Sequence, residues 1–244
     1  MITVATVFAG TKYTQDYVKR LELAVSKHLT IPHRFVCLTD QPDELDCETL
    51  PIPLDLEAWW GKVALFGDLI PERILFFDLD TVIVGNIDDF ARYEGDLAII
   101  RPFYRNSGFA SGVLNIGPGA HRNVWHLFRK SPERAIQFCA ENADPPWNNG
   151  DQRWLELTVS NADYWQELLP GQLVSYKVHC SESGEKPDNA RVICFHGKPD
   201  PHEVEDEWIV SNWRLPARVD PSDNGAHGAR ESDTQEPSPD SQVG

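Results

Sequence analysis

Two carboxylates interrupt the most apolar stretch of the chain. The stretch covers residues 73–85 and reads RILFFDLDTVIVG, with Asp78 and Asp80 placed among apolar side chains. Such a run predicts a buried central strand, on which residues two apart point to the same face. Two like charges on a buried face repel and lose hydration, unless a cation or strong donors compensate. The spacing therefore indicates a divalent metal ion that holds a phosphate, and the alternative is a pair that caps a strand end or a turn.

The periodicity of the chain predicts the elements that position this pair. Residues 2–8 and 34–39 are apolar and β-branched, and residues 16–29 carry apolar side chains at helical spacing. Strand, helix and strand in succession form the βαβ pattern of a parallel sheet. We expect further strands at 48–52, 96–101, 110–116, 192–195 and within 165–177, and helices at 59–69, 121–130, 132–139 and from 151 to 157.

Composition limits the organisation and the partners of the protein. The chain has 244 residues, of which 41% are hydrophobic, and a formal net charge of −16. This charge argues against nucleic acid or an anionic membrane as the general partner. We expect one α/β domain over residues 1–215 and a disordered acidic tail over 216–244, where apolar residues are scarce.

The cysteines and the absence of long apolar runs indicate the compartment. Five cysteines are scattered without a CxxC pair, which is typical of reduced thiols. No run approaches the ~18 apolar residues of a membrane helix. The N-terminal stretch MITVATVFAG lacks a basic region and favours a first strand over a signal peptide. We therefore expect a cytoplasmic protein without a transmembrane segment.

Six short motifs occur in an order that is informative where each alone is weak. They are an aromatic-containing loop after the first strand, WWGKVALF, DLD followed by GNIDDF, Ser111-Gly112-Val113, Gly150-Asp151-Gln152 and His196-Gly197-Lys198-Pro199. In this order the chain resembles the GT-A glycosyltransferases, and among them the glycogenin-like family of retaining sugar transferases. The resemblance extends to about Pro201. It implies a GT-A, Rossmann-like fold, α/β with a mixed, mainly parallel central sheet flanked by helices.

The resemblance also implies an activity and its cofactor. The family transfers a hexose from a UDP-sugar, held through Mn²⁺ or Mg²⁺, and the outcome is retention. A hard cation that bridges two phosphates needs carboxylate oxygens, and it stabilises the leaving diphosphate. By resemblance the metal ligands are Asp78, Asp80 and a late histidine, His196. Because the spacing around His196 departs from the family pattern, His179 is the alternative third ligand. The acceptor is an unknown sugar, lipid or protein.

The remaining site residues follow from the same motifs. The resemblance places Lys62, Asp151 and Gln152 at the reacting sugar, with a helix N-cap and a surface lysine as the plain alternatives for Asp151 and Lys62. Of the adjacent pair Trp59 and Trp60, one side chain is available to line the sugar site. The nucleotide-sugar contacts that the resemblance predicts are Phe8, Ala9, Tyr13 (or Tyr17), Asp78, Ser111, Gly112 and Lys198.

Two other functions compete with a transferase. A haloacid-dehalogenase-like phosphatase also has an apolar strand that ends in DxD and a threonine, with the first aspartate as the nucleophile. However, that class usually has a glycine between the second aspartate and the threonine, whereas Thr81 follows Asp80 directly. The second alternative is an inactive nucleotide-sugar-binding module, which the unusual spacing at His196 favours.

Overall fold

The computed structural model describes residues 1–56, 58–145 and 148–215. Its strands are β1 (Ile2–Phe8), β2 (His33–Thr39), β3 (Glu48–Pro51), β4 (Ile74–Phe77), β5 (Thr81–Ile83), β6 (Leu97–Ile100), β7 (Ala110–Ile116), β8 (Asp163–Tyr164), β9 (Leu173–Ser175) and β10 (Val192–Cys194). The α-helices are α1 (Gln15–His28), α2 (Asp88–Ala91), α3 (Asn123–Phe128), α4 (Pro132–Glu141), α5 (Asp151–Thr158), α6 (Trp165–Leu168), α7 (Tyr176–His179) and α8 (Glu207–Trp213). Short 3₁₀-helices cover Pro42–Glu44, Pro53–Asp55, Ala58–Phe66 and Pro201–Glu203.

A large mixed sheet forms the centre of the protein. Its order is β3-β2-β1-β4-β7-β6-β8. Strands β1 to β4 pair in parallel, β7 runs antiparallel to both of its neighbours, and β8 is parallel to β6. Helices cover both faces of this sheet. The predicted fold class, an α/β fold with a mixed, mainly parallel central sheet, is confirmed.

The two faces of the sheet build two hydrophobic cores. Along β1, Val4 and Phe8 enter the core under α1, α8 and a smaller sheet, whereas Ala5 and Val7 enter the core under the 3₁₀-helix Ala58–Phe66 and α3 to α5. This alternation explains why the strand is apolar along its whole length, since a strand that is buried on both faces has no solvent side.

The smaller sheet changes the interpretation of the stretch 73–85. That stretch was predicted as one strand, but it forms β4 in the large sheet and β5 in a three-stranded sheet of order β5-β10-β9. Between them the chain turns, and the Thr81 amide donates to the Asp78 carbonyl at 3.0 Å. The prediction of one strand is therefore wrong, because an apolar run indicates burial but does not specify the sheet in which each half pairs.

Other boundaries differ in smaller ways. The segment predicted as a helix over 59–69 is the 3₁₀-helix Ala58–Phe66, and α8 has no counterpart among the predicted elements. The tail that was predicted to be disordered, residues 216–244, lies outside the described residues. None of the helices in the described ranges combines the length and the apolar character needed to span a bilayer.

Candidate active site

The candidate site lies at one edge of the large sheet. Strands β1 and β4 are parallel and end there at Phe8 and Phe77, and the antiparallel strand β7 begins there. The carboxyl ends of parallel strands are the usual location of ligand sites in open α/β sheets. Asp78 follows β4 directly, and its amide donates to the carbonyl of Gly112 on β7 at 2.8 Å. Chain topology therefore brings Asp78 and Gly112 together.

Gly112 leaves room for the carboxylate of Asp78. A methyl group at position 112 would lie 3.5 Å from Asp78 Oδ2. That distance is an ordinary contact, so a small side chain would fit but would close the space beside the carboxylate.

Lys62 connects the site to the core under the 3₁₀-helix Ala58–Phe66. Its Nζ lies 2.7 Å from Asp78 Oδ1 and 3.7 Å from Asp151 Oδ2, and it donates to Ser111 Oγ at 3.2 Å. The lysine is buried on the 3₁₀-helix Ala58–Phe66, and Asp151 is buried at the start of α5. Ser111 completes the cluster by donating to Asp151 Oδ2 at 2.5 Å. We name these four residues, Lys62, Asp78, Ser111 and Asp151, the lysine network.

Charge within the lysine network is balanced locally. Burial alone would lower the pKa of Lys62, but the carboxylates of Asp151 and Asp78 outweigh burial and raise that pKa above its ordinary range. Burial raises the pKa of Asp151, while Lys62 and Ser111 limit the rise. Lys62 is therefore held as a cation between two carboxylates, which is how a buried charge is stabilised.

Asp80 is held apart from this network. Its Oδ2 accepts a hydrogen bond from the hydroxyl of Tyr13 at 2.8 Å, and its side chain is buried. Burial, followed by the charge of Asp78, raises the pKa of Asp80 from 3.8 to about 6. Although Asp78 and Asp80 lie on a turn and not on a strand, they are close enough for each to feel the charge of the other.

The two carboxylates fit a divalent cation. Burial first and the charge of Asp78 second raise the pKa of Asp80, and Tyr13 and nearby lysines offset this rise only in part. Carboxylate oxygens are the ligands that Mg²⁺ and Mn²⁺ prefer, and diphosphate oxygens and water commonly fill the remaining positions around such ions. Asp78 and Asp80 would therefore hold the ion, which remains a prediction.

Neither histidine joins these carboxylates. The Nε2 atom of His196 lies 2.6 Å from Ser175 Oγ, and its ring stacks on Phe103. The Nδ1 atom of His179 accepts from the backbone amide of Ser175 at 3.0 Å. Within residues 1–56, 58–145 and 148–215, no group of three or more His, Cys, Asp or Glu side chains is arranged to hold a metal. The third protein ligand stays a prediction.

Lys198 is the most exposed of the predicted site residues. It pairs with Asp200 at 2.8 Å and with Glu203 at 2.7 Å, and 70% of its side chain is exposed. Both partners lie within five residues of it in the chain. Lys198 is therefore held by its own segment and not by the body of the site.

The predicted base pocket lies at the end of β1. Phe8 is buried and Ala9 is half-buried. The ring of Tyr13 lies 4.7 Å from the ring of Tyr17, and the charges of both Asp80 and Asp200 raise the pKa of Tyr17, after burial as the main cause, to about 12. Tyr13 and Tyr17 are thus neighbours beside Asp80, and base stacking by either stays a prediction.

Three neighbours of this site were not predicted. The Tyr17 hydroxyl lies 2.5 Å from His202 Nδ1, and Asp200 is buried close enough to raise the pKa of Tyr13. Ser175 is the partner that both histidines share. His202 and Asp200 lie in the segment HGKPDPHE, whose repeated histidine and prolines are a signal that could have identified them. Nothing in the sequence distinguishes Ser175.

Gln152 adjoins the lysine network. It follows Asp151 on α5 and is partly exposed. Its backbone amide donates to the Asp151 carboxylate, which limits the rise that burial causes in the pKa of Asp151. Its side chain remains available at the rim. The structure thus brings together Lys62, Asp78, Ser111, Gly112, Asp151 and Gln152, and it leaves Lys198 and His196 on a separate segment.

No protein-family model matches the chain, and comparison with curated proteins gives no match either. Solved structures do match. The glycosyltransferase GlyE of Streptococcus pneumoniae TIGR4 is 15% identical over 88% of this chain, with a TM-score of 0.61, and this chain spans 60% of its length. The galactosyltransferase LgtC, solved with donor and acceptor sugar analogues, is 14% identical over 89% of this chain and 98% of its own, with a TM-score of 0.56. The bifunctional glycosyltransferase WbbM is 10% identical over 86% of this chain and 49% of its own, with a TM-score of 0.54. The chain therefore has the GT-A fold of these glycosyltransferases.

Proposed function

We propose that the protein is a metal-dependent glycosyltransferase that moves a hexose from a UDP-hexose to an acceptor with retention of configuration. The observation that carries this proposal is the buried lysine network beside the Asp78-Leu79-Asp80 turn, at the ligand-binding edge of a GT-A sheet. Glycosyltransferase neighbours of the same fold support the reaction class. The finer features, UDP-hexose, metal dependence and retention, rest on the motif resemblance.

Each residue of the network has a distinct role in this proposal. Asp78 and Asp80 hold a divalent cation, which when bound neutralises charge on the departing diphosphate. Lys62 fixes the orientation of Asp78 and Asp151 through contacts of 2.7 and 3.7 Å. Asp151, oriented further by Ser111, accepts hydrogen bonds from hydroxyl groups of the donor hexose. These groups are preorganised, so they lose little freedom when the donor binds.

The transfer breaks one bond and forms one. The bond between the anomeric carbon and the β-phosphate oxygen breaks, and its electron pair stays on the phosphate. The acceptor hydroxyl oxygen bonds the same carbon from the same face, and its proton passes to the leaving phosphate.

The phosphatase alternative is less well supported. In that class the DxD strand usually opens the fold, whereas here a βαβ unit precedes β4. That class also usually has a glycine between the second aspartate and the threonine, whereas Thr81 follows Asp80 directly. The inactive binding module remains the second candidate, favoured by the distance of His196 from a carboxylate cluster.

A donor screen tests the proposal. Purified protein with Mn²⁺ is incubated with UDP-, GDP- and ADP-hexoses, and release of nucleoside diphosphate is measured. We expect slow hydrolysis of a UDP-hexose that EDTA abolishes and that Asp78→Asn reduces at least about 100-fold. Binding of UDP-hexose without hydrolysis would favour the inactive module. Phosphate release from p-nitrophenyl phosphate that Asp78→Asn abolishes would favour the phosphatase.

We place this activity in a reducing, cytosol-like compartment. All five cysteines are free thiols, and four of them are buried. The acceptor, whether sugar, lipid or protein, is considered next.

A further inference from the structure

We infer that Trp59 is the stacking platform for the acceptor, and that the acceptor is a carbohydrate. This inference rests on the proposed function, because it assigns the second substrate of the same site. Three features of Trp59 carry it: its exposure, its position relative to Lys62, and its contact with the residue that precedes Asp151.

The two adjacent tryptophans differ in their surroundings. Trp60 is buried and stacks on Phe128 with ring centroids 5.3 Å apart. Trp59 is 50% exposed. A half-exposed indole beside a polar site offers an apolar face on which a ligand can pack. Trp60 thus belongs to the core, and Trp59 presents a surface.

The local helix type aligns Trp59 with the lysine network. Residues 58–66 form a 3₁₀-helix, in which side chains three positions apart lie on the same side. Trp59 is therefore on the side of Lys62, one turn away, or about 6 Å along the axis. Trp59 is consequently one turn of this helix from the lysine that contacts Asp78 and Asp151.

A second contact places the indole at the start of α5. A methyl group built on Gly150 would lie 2.6 Å from Trp59 Nε1 and 2.9 Å from its Cδ1. No side chain fits between them, so the ring lies directly against the backbone of Gly150. Asp151, the carboxylate assigned to the donor sugar, is the next residue. The 3₁₀-helix Ala58–Phe66 and the start of α5 thus hold Trp59 beside Asp151.

The surroundings of Trp59 favour a sugar over a lipid or a peptide. A pyranose has an apolar C–H face, which packs on an aromatic ring, and a rim of hydroxyl groups. The neighbouring Asn149 is exposed and Gln152 is partly exposed, and each side-chain amide both donates and accepts hydrogen bonds. An apolar ring that lies against Gly150, with amide side chains at the adjoining positions 149 and 152, matches one sugar face and its rim.

The test measures transfer relative to donor hydrolysis. The full chain, Mn²⁺ and the UDP-hexose that it hydrolyses are supplied with lactose, maltose, cellobiose or chitobiose, or with dodecanol or a serine-containing peptide. We expect transfer to a saccharide, and we expect Trp59→Ala to lower the ratio of transfer to hydrolysis at least about tenfold through a higher KM for the saccharide. Trp59→Phe should retain most of the transfer, because it keeps an aromatic face.

A matched control is available on α4, outside the site. Phe138 on α4 is 49% exposed, close to the exposure of Trp59, and Phe138→Ala should leave the ratio unchanged. Because the ratio is internal, a variant that is only partly folded does not imitate the effect. An unchanged ratio in Trp59→Ala, or transfer only to dodecanol or the peptide, overturns the inference while the proposed function stands. Absence of UDP-hexose hydrolysis in the unmodified protein overturns both.

Discussion

The two lysines of the candidate site are held in opposite ways. Lys62 is buried, and its partners Asp78 and Asp151 come from two other elements of the fold. Lys198 is exposed, and its partners Asp200 and Glu203 come from its own segment. Long-range partners fix a side chain only when the whole domain is folded, whereas local partners on the surface hold it weakly.

This contrast separates the site into a built side and an open side. The sugar side, around the lysine network, is preorganised in the ligand-free protein. The proposed phosphate side, around Lys198 and His196, has the ammonium group of Lys198 turned to carboxylates of its own segment. Binding of a diphosphate would replace the carboxylates around Lys198 with phosphate oxygens at little cost, because exposed ion pairs contribute less than about 1 kcal/mol.

The largest expected effect comes from removing the buried cation. Lys62→Met leaves Asp78 and Asp151 without their counter-ion, and removal of one partner of a buried pair costs about 3–5 kcal/mol. Urea denaturation should show this loss in the free energy of unfolding. Adding Asp151→Asn should restore part of it, because the amide carries no charge. A loss below about 1 kcal/mol would mean that the network is hydrated and not preorganised.

Asp80→Asn should have opposite effects on binding and on stability. Mn²⁺-dependent UDP binding, measured by calorimetry, should weaken at least about tenfold, or roughly 1.4 kcal/mol. The pKa of Asp80 is raised from 3.8 to about 6, so the native state binds this proton more tightly than the unfolded state does. The contribution of Asp80 to stability should then be greatest below about pH 4 and fall as pH rises towards about 6 and beyond.

The asparagine variant removes that dependence. At about pH 7.5 and without metal, we expect Asp80→Asn to be more stable than the unmodified protein by roughly 1–2 kcal/mol. Equal stability, together with unchanged UDP binding, would contradict the assignment of Asp80 to the cation.

The two histidines give a direct comparison within the open side. His196→Ala should raise the Mn²⁺ concentration for half-maximal UDP binding about tenfold, whereas His179→Ala should leave it nearly unchanged. The reverse pattern would assign the third ligand to His179. His126, partly buried on α3, supplies a control substitution outside the site.

The smallest expected effect is that of Lys198→Ala. Its ion pairs are exposed, so the free energy of unfolding should stay nearly unchanged. The KM for the UDP-hexose should rise about three- to tenfold, because one cation is removed from the diphosphate. A large loss of stability with an unchanged KM would place Lys198 with the built side.

The sequence predicted the elements that a local pattern defines, and it failed for those that depend on long-range pairing or are very short. Strands β1 and β7 were predicted with their observed ends, because apolar runs bounded by turn residues define a buried strand. The prediction of one strand over residues 73–85 failed because the two halves of that stretch join different sheets. The helix α8 was not predicted, since its seven residues, EWIVSNW, are too few to establish helical periodicity.

The site was predictable in its residues but not in its contacts. The order of motifs identified Lys62, Asp78, Ser111 and Asp151 as one group. The distances among them come from four separate elements, and a single sequence carries no information on such long-range packing. Nor does it distinguish Trp59 from Trp60, because that choice depends on which face of the segment packs on the core.

The pairing of β5 has a consequence for biosynthesis. The strand after Asp80 pairs only with β10 in the small sheet, where Thr81 lies opposite Cys194. A ribosome therefore exposes the whole lysine network before it releases the strand that anchors the Asp78-Leu79-Asp80 turn. Since pairing between such distant segments is slow, the nascent chain acquires these carboxylates early and their fixed geometry last. A ligand that needs this geometry can bind only after nearly the entire domain has left the exit tunnel.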